Sequence, residues 1–137
     1  MVDEQRMKSA LHARPETLWN RRLWMRLATV NALASVIALM FSVHVTEDVS
    51  SIVRLGAQVQ FMHSMASIAC ATFMNIGAEA ARRAPAFLLG GSLLFAVHHH
   101  GAAAGLWGLA NGLIVFAAVV MASGWMIMLA AGRSIDT

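Results

Sequence analysis

The chain has 137 residues, of which 58% are hydrophobic and only 12% are charged, so it is long enough for one compact domain. Soluble domains usually carry about 25% charged residues, and this composition therefore argues against a soluble globular protein. The formal net charge of +3 does not indicate nucleic-acid binding, because the charged residues are grouped at the N-terminus and in short breaks between long apolar runs.

The chain begins with a polar segment, residues 1–22, which contains no apolar signal core. The first apolar run follows at about 23–43 and is long enough for a transmembrane helix, which needs about 20 residues. Residues 15–26 mix Trp and Leu with Arg side chains. This pattern fits either a helix lying along the inner membrane surface or a helical extension of the first span.

Three further apolar runs predict transmembrane helices at about 59–78, 84–100 and 106–131. Pro85 suits the first turn of the third helix, where its missing N–H is not needed. Small residues such as Gly90, Gly91 and Ser92 permit close approach between helices in lipid. The sequence therefore predicts a single all-α domain, an integral membrane four-helix bundle.

The basic residues predict the orientation of this bundle. In a four-span arrangement, nine of the ten Lys and Arg residues fall on one side, and Arg54 is the exception. Basic residues are enriched in cytoplasmic loops. We therefore expect both termini to be cytoplasmic, as N-in/C-in, in the cell inner (plasma) membrane.

Polar residues inside a predicted span are costly in lipid and are hypotheses for functional residues. In the second span they recur at helical spacing, and Asn31 and Asn111 in other spans are possible partners for them. The candidate ligand-binding residues are Gln60, His63, Ser64, Ser67 and Asn111.

Five of the six histidines are predicted at the outer membrane face: His44, His63, His98, His99 and His100. Imidazole can bind Zn or Cu, so these five are candidate metal ligands. However, three consecutive residues on a helix point in directions about 100° apart and cannot all share one ion. Histidines that form local hydrogen bonds at the interface are the simpler interpretation, and we expect no cofactor.

Sequence patterns of known catalytic chemistry are missing from the chain. There is no Walker loop, no His-Glu-x-x-His and no Gly-x-Ser-x-Gly, and no Asp, Glu or Lys lies inside a predicted span. Cys70 is the only cysteine, which excludes an intrachain disulfide and suits a small core residue. We therefore expect a protein that is not an enzyme.

Short motifs over about residues 25 to 132 resemble the small four-helix membrane proteins known as domain of unknown function 423. The motifs that carry this resemblance are Phe41-Ser-Val-His44, Gln60 with His63, Gly91-Ser-Leu-Leu94 and Gly124-Trp125. The family's Tyr before the Gln is Val59 here, and the opening of the fourth span lacks the family's Pro. The resemblance implies a four-span fold in the inner membrane and brings no established activity.

These observations predict a non-enzymatic accessory, scaffold or assembly subunit. Its partners would be the lipid bilayer and other membrane proteins, or further copies of itself, with no nucleic acid. One alternative is an outer-face, His-rich site for a metal or a quinone-like ligand. A small-solute channel or transporter is a weaker alternative, because four short helices leave little room for a pore.

Overall fold

The computed structural model describes residues 21–75, 78–108 and 111–133, and all regular structure within these ranges is helical. The prediction of an all-α fold is therefore confirmed for the described residues. A short 3₁₀ helix, Glu79–Arg83, leads into the third α-helix. The four α-helices are α1 (Arg21–Ser42), α2 (Glu47–Asn75), α3 (Ala84–Ala103) and α4 (Asn111–Gly132).

The helix ends differ from the predicted runs mainly around α2 and α4. α2 begins at Glu47, well before the apolar run at 59, and Glu47 and Asp48 lie in its first turn. Acidic side chains there interact favourably with the helix dipole. α4 begins at Asn111, after a turn in which Gly105 has a φ of 73°. Pro85 lies in the first turn of α3, as predicted.

The segment 15–26 was expected either to extend the first span or to lie along the membrane surface. Its last six residues, 21–26, belong to α1. The preceding residues of that segment lie outside the described ranges. The described part is therefore continuous with the first apolar helix.

Three of the four α-helices coincide with segments that are long and apolar enough to cross a membrane: Arg21–Ser42, Ala80–Ala103 and Asn111–Gly132. α2 is not among them. Its hydropathy is lowered by the charged residues Glu47, Asp48 and Arg54. It is also lowered by a polar stripe, which consists of Gln60, His63, Ser64 and Ser67. The structure therefore supports three apolar helices of membrane-spanning length, with a more polar fourth.

The helices α2 and α3 form the centre of the molecule. α2 packs along both α1 and α3, α3 also packs along α4, and α1 meets α3 over a shorter stretch. In the segment that contains α3, half of the most apolar 18-residue stretch is buried inside the molecule. The corresponding buried share is 17% for each of α1 and α4. The two flanking helices therefore keep most of their apolar surface outside the fold.

Glycines allow close packing of α3 against α4. A Cβ at Gly91 would lie 2.6 Å from Met121 Cγ, and one at Gly124 would lie 2.7 Å from Leu88 Cγ. Small residues at such positions let two helix backbones approach. These pairs also show that α3 and α4 are antiparallel, because a later residue of α4 meets an earlier residue of α3.

The remaining neighbours are antiparallel as well. Gly56 on α2 approaches His99 on α3, whereas Cys70 packs with Ala84 at the other end of the pair. α1 and α2 are joined by the short connection 43–46. The alternating directions bring six of the seven arginines in the described ranges to one end of the molecule, and only Arg54 lies towards the other end.

Candidate functional site

A side-chain hydrogen-bond network links α1, α2 and α3 near the middle of each helix. Its centre is the Asn31 amide, whose Oδ1 accepts a hydrogen bond from Gln60 Nε2 at 2.7 Å. Asn31 Nδ2 donates to Ser64 Oγ at 2.9 Å, with a longer contact of 3.5 Å to Ser92 Oγ. The sequence offered Asn31 as a possible partner for the polar residues of the second span, which are Gln60, His63, Ser64 and Ser67. Asn31 bonds to two of these four.

The serines of this region also donate to carbonyls of their own helices. Ser64 Oγ donates to Gln60 O and Ser67 Oγ donates to His63 O, both at 2.8 Å. Ser92 Oγ donates to Leu89 O at 3.2 Å. Such bonds satisfy hydroxyl donors inside a helix and leave the oxygens of Ser64 and Ser92 free to accept from Asn31.

Ser92 is a member of the network that the sequence indicated only as a small packing residue. Its position beside Gly91 suggested close helix contact, and no polar spacing linked it to the second span. Conversely, Ser67 is buried but bonds within α2, and Asn111 is exposed at the start of α4. Of the five candidate ligand-binding residues, only Gln60 and Ser64 join this network.

His63 links α2 to α4 through Trp125. Its Nδ1 lies 2.8 Å from the Val59 carbonyl oxygen, and its Nε2 lies 3.3 Å from Trp125 Nε1. A neutral imidazole with its proton on Nδ1 satisfies both contacts, since it donates to the carbonyl and accepts from the indole. The indole packs edge-on against the His63 ring, with centroids 6.1 Å apart. His63 thus has a packing role between two helices.

An apolar groove of about 490 Å³ lies between α1 and α3. Side chains from both helices form its walls, and Asn31 and Gln60 of the polar network also line it. None of the described residues that line the groove is charged. Its main wall residues are Trp24, Leu27 and Val30 on α1 and Leu89, Gly90 and Leu93 on α3.

The histidines at the end of α3 form an aromatic cluster with their neighbours. The His99 ring stacks on Phe95 at 4.1 Å, and its Nδ1 lies 2.9 Å from the Phe95 carbonyl oxygen. The Trp107 ring is parallel to His98 at 6.4 Å, and Trp107 Nε1 donates to His98 O at 3.0 Å. The cluster therefore fixes the turn after α3 onto the end of that helix.

The five candidate metal ligands do not converge. His44 is exposed in the turn after α1, and His63 is turned towards Trp125 on α4. His98 and His99 are edge-to-face neighbours, whereas His100 has a buried Nε2 without a hydrogen-bond partner. Within the described ranges, no three or more His, Cys, Asp or Glu side chains are placed to hold a metal ion.

Comparison with known proteins adds no relative to this description. No protein-family model matches the chain, and no curated protein and no solved structure is significantly similar to it. The resemblance to domain of unknown function 423 therefore stays a prediction from its short motifs. The candidate site has to be interpreted from its own chemistry, which is a neutral polar network beside an apolar groove.

Proposed function

We propose that the chain is a non-enzymatic integral membrane protein of the cell inner membrane that binds other membrane proteins as an accessory, scaffold or assembly subunit. All four α-helices would cross the bilayer, with both termini in the cytoplasm. The three apolar helices and the gathering of six arginines at one end support this arrangement, because basic residues favour the cytoplasmic side.

The polar character of α2 is compatible with insertion. Gln60, Ser64 and Ser67 are buried within the molecule, and the neighbouring helices shield them from the surroundings. Polar side chains in transmembrane helices usually face the interior of the bundle, where they find partners. A helix that buries its polar stripe in this way needs less apolar character than one whose whole surface faces lipid.

The proposed binding function is supported mainly by the exposed face of α4. This helix is the most apolar of the three helices of membrane-spanning length, and only 17% of its most apolar 18-residue stretch is buried. Ala118 and Ala122 are exposed on it four residues apart, beside the exposed Val115 and Val119. Small residues at this spacing let the backbone of another helix approach, and van der Waals packing then stabilises the pair.

A photo-crosslinking amino acid at position 118 tests this proposal in native membranes. We expect discrete protein adducts at Ala118, and only lipid adducts at Leu33, which is also exposed, on α1. The same adducts at both positions, or lipid alone at Ala118, would argue against a docking face on α4.

A pair of substitutions tests the same face without a crosslinker. Ala118→Leu should disrupt the complex because it separates the two backbones, and it should leave the fold intact because Ala118 is exposed. Ala130→Leu makes the same change at an exposed alanine nearer the C-terminal end of α4 and is the matched control. Retention of the partner by Ala118→Leu, measured by co-purification in mild detergent, would exclude this face.

The alternatives have less support from the geometry. Of the outer-face histidines, His99 contacts a helix carbonyl and the Phe95 ring, and His98 stacks on Trp107, as expected for local packing. A small-solute channel requires a continuous polar path, and the polar network lies near the middle of its helices beside an apolar groove. We therefore place partner binding first.

A further inference from the structure

The amide oxygen of one buried side chain has no hydrogen-bond donor among the described residues. Gln60 is only 4% exposed, and its Nε2 donates to Asn31 Oδ1. No described residue donates a hydrogen bond to Gln60 Oε1. Gln60 Oε1 itself is not fully buried, and a polar atom that faces an apolar groove gains from a hydrogen-bond partner. Because Gln60 lines the groove between α1 and α3, a donor can reach this amide from the groove.

The rest of the groove favours an apolar, uncharged ligand. Its walls are formed by side chains such as Trp24, Leu27 and Leu93, and none of the described residues that line it is Asp, Glu, Lys, Arg or His. An ionised group would find no counter-charge among these residues and would lose its hydration. The volume of about 490 Å³ lies within the usual range for small-molecule sites.

We propose that this groove binds a neutral lipid alcohol. Its apolar chain would lie along the walls that α1 and α3 provide, and its hydroxyl would donate to Gln60 Oε1. A hydroxyl both donates and accepts hydrogen bonds, so it matches a side-chain amide, which has an accepting oxygen and a donating nitrogen. This site is separate from the exposed face of α4, and the inference does not depend on the proposed function.

Other occupants fit the groove less well. A second copy offering the same face would present another concave groove, and two concave surfaces do not fill one another in a twofold contact. A fatty acid or phospholipid head would bring an unpaired charge to the level of Gln60. A helix from another protein would have to insert a polar side chain as far as this amide, and the test below distinguishes that case.

The first test is a binding titration of the purified full-length protein in mild detergent, followed by native mass spectrometry. The probes are hexadecanol, hexadecane and palmitate, which share a chain length and differ in the end group. We expect one hexadecanol per chain, with an affinity about threefold to tenfold above that of hexadecane, as one net hydrogen bond provides. Equal binding of the alcohol and the hydrocarbon, or a preference for palmitate, would overturn the proposal.

The second test blocks the groove without disturbing the fold. A Cβ at Gly90 meets no atom within 4 Å, so Gly90→Leu places its side chain in the groove. Gly112→Leu is the matched control, because Gly112 is also an open helical glycine and lies outside the groove. We expect Gly90→Leu to lose hexadecanol binding and Gly112→Leu to retain it. Unchanged binding by Gly90→Leu would refute the location.

The third test assigns the polar contact to Gln60. Gln60→Met keeps the length of the side chain and removes the amide, so the preference for hexadecanol over hexadecane should disappear while hexadecane still binds. A preference that survives Gln60→Met would show that another group holds the hydroxyl. A photo-crosslinking amino acid at Leu93, which also lines the groove, should yield lipid adducts in native membranes, and a protein adduct there would instead identify a partner helix.

Discussion

At the scale of single residues, Asn31 is the side chain on which three helices depend. It accepts from Gln60 and donates to Ser64, and both partners are buried on α2. Loss of its amide would leave Gln60 Nε2 without its acceptor. Removing one partner from a buried hydrogen bond costs more than the bond itself contributes, because the remaining group stays desolvated.

Asn31→Ala should therefore destabilise the folded protein by about 1–2 kcal/mol. Thr29→Ala is the control, since Thr29 is exposed on the same helix and its hydroxyl bonds only to Met25 O. We expect a change of about 0.5 kcal/mol or less for the control. Reversible unfolding in mixed detergent micelles measures both. Similar losses for the two variants would show that the network does not hold the helices together.

At the scale of helices, two adjacent glycines on α3 have opposite surroundings. A Cβ at Gly91 would meet Met121 Cγ at 2.6 Å and Ala117 O at 2.9 Å, whereas a Cβ at Gly90 would meet nothing within 4 Å. Gly91 therefore permits the contact between α3 and α4, and Gly90 only lines the groove.

Alanine substitutions of these two glycines should consequently have opposite effects on stability. Gly91→Ala should destabilise by about 1–3 kcal/mol, because a backbone oxygen cannot move away as a flexible side chain can. Gly90→Ala should be neutral or stabilising by up to about 1 kcal/mol, because alanine favours the helix. Thermal unfolding in detergent compares them. Equal stability of the two variants would contradict the close packing described for α3 and α4.

The helices also show what the sequence could and could not predict. Apolar runs located α1 and α3 closely, because membrane-spanning length and apolarity act together in these segments. They also located the end of α4, but its start at Asn111 was predicted too early, since the apolar pattern continues through the turn before the helix. The start of α2 was predicted too late, because Glu47, Asp48 and Arg54 interrupt the apolar pattern without interrupting the helix. Apolar runs alone therefore cannot predict the polar first turns of a helix.

At the scale of the whole molecule, the sequence predicted an all-α protein and the placement of polar residues on α2. It also indicated Asn31 as a partner, because an interior Asn requires one. The groove could not be predicted, since it depends on how far apart α1 and α3 lie at Gln60. Ser92 joins the network and Asn111 does not because of how the helices pack against each other. The periodicity of polar residues along a single helix cannot predict that packing.

We propose that four helices cross the membrane with the arginine-rich end in the cytoplasm. This arrangement can be tested with single cysteines introduced at four exposed positions: Thr46, Ala80, Ala104 and Gly132. The unmodified chain is the control, because its only cysteine, Cys70, is buried. An impermeant maleimide is applied to right-side-out membrane vesicles, before and after the membrane is permeabilised.

We expect immediate labelling of the cysteines at Thr46 and Ala104, which follow α1 and α3. We expect labelling at Ala80 and Gly132 only after permeabilisation, because these residues lie at the arginine-rich end. Labelling of Ala80 and Gly132 from opposite sides, or of Thr46 and Ala80 from the same side, would contradict the four-span arrangement.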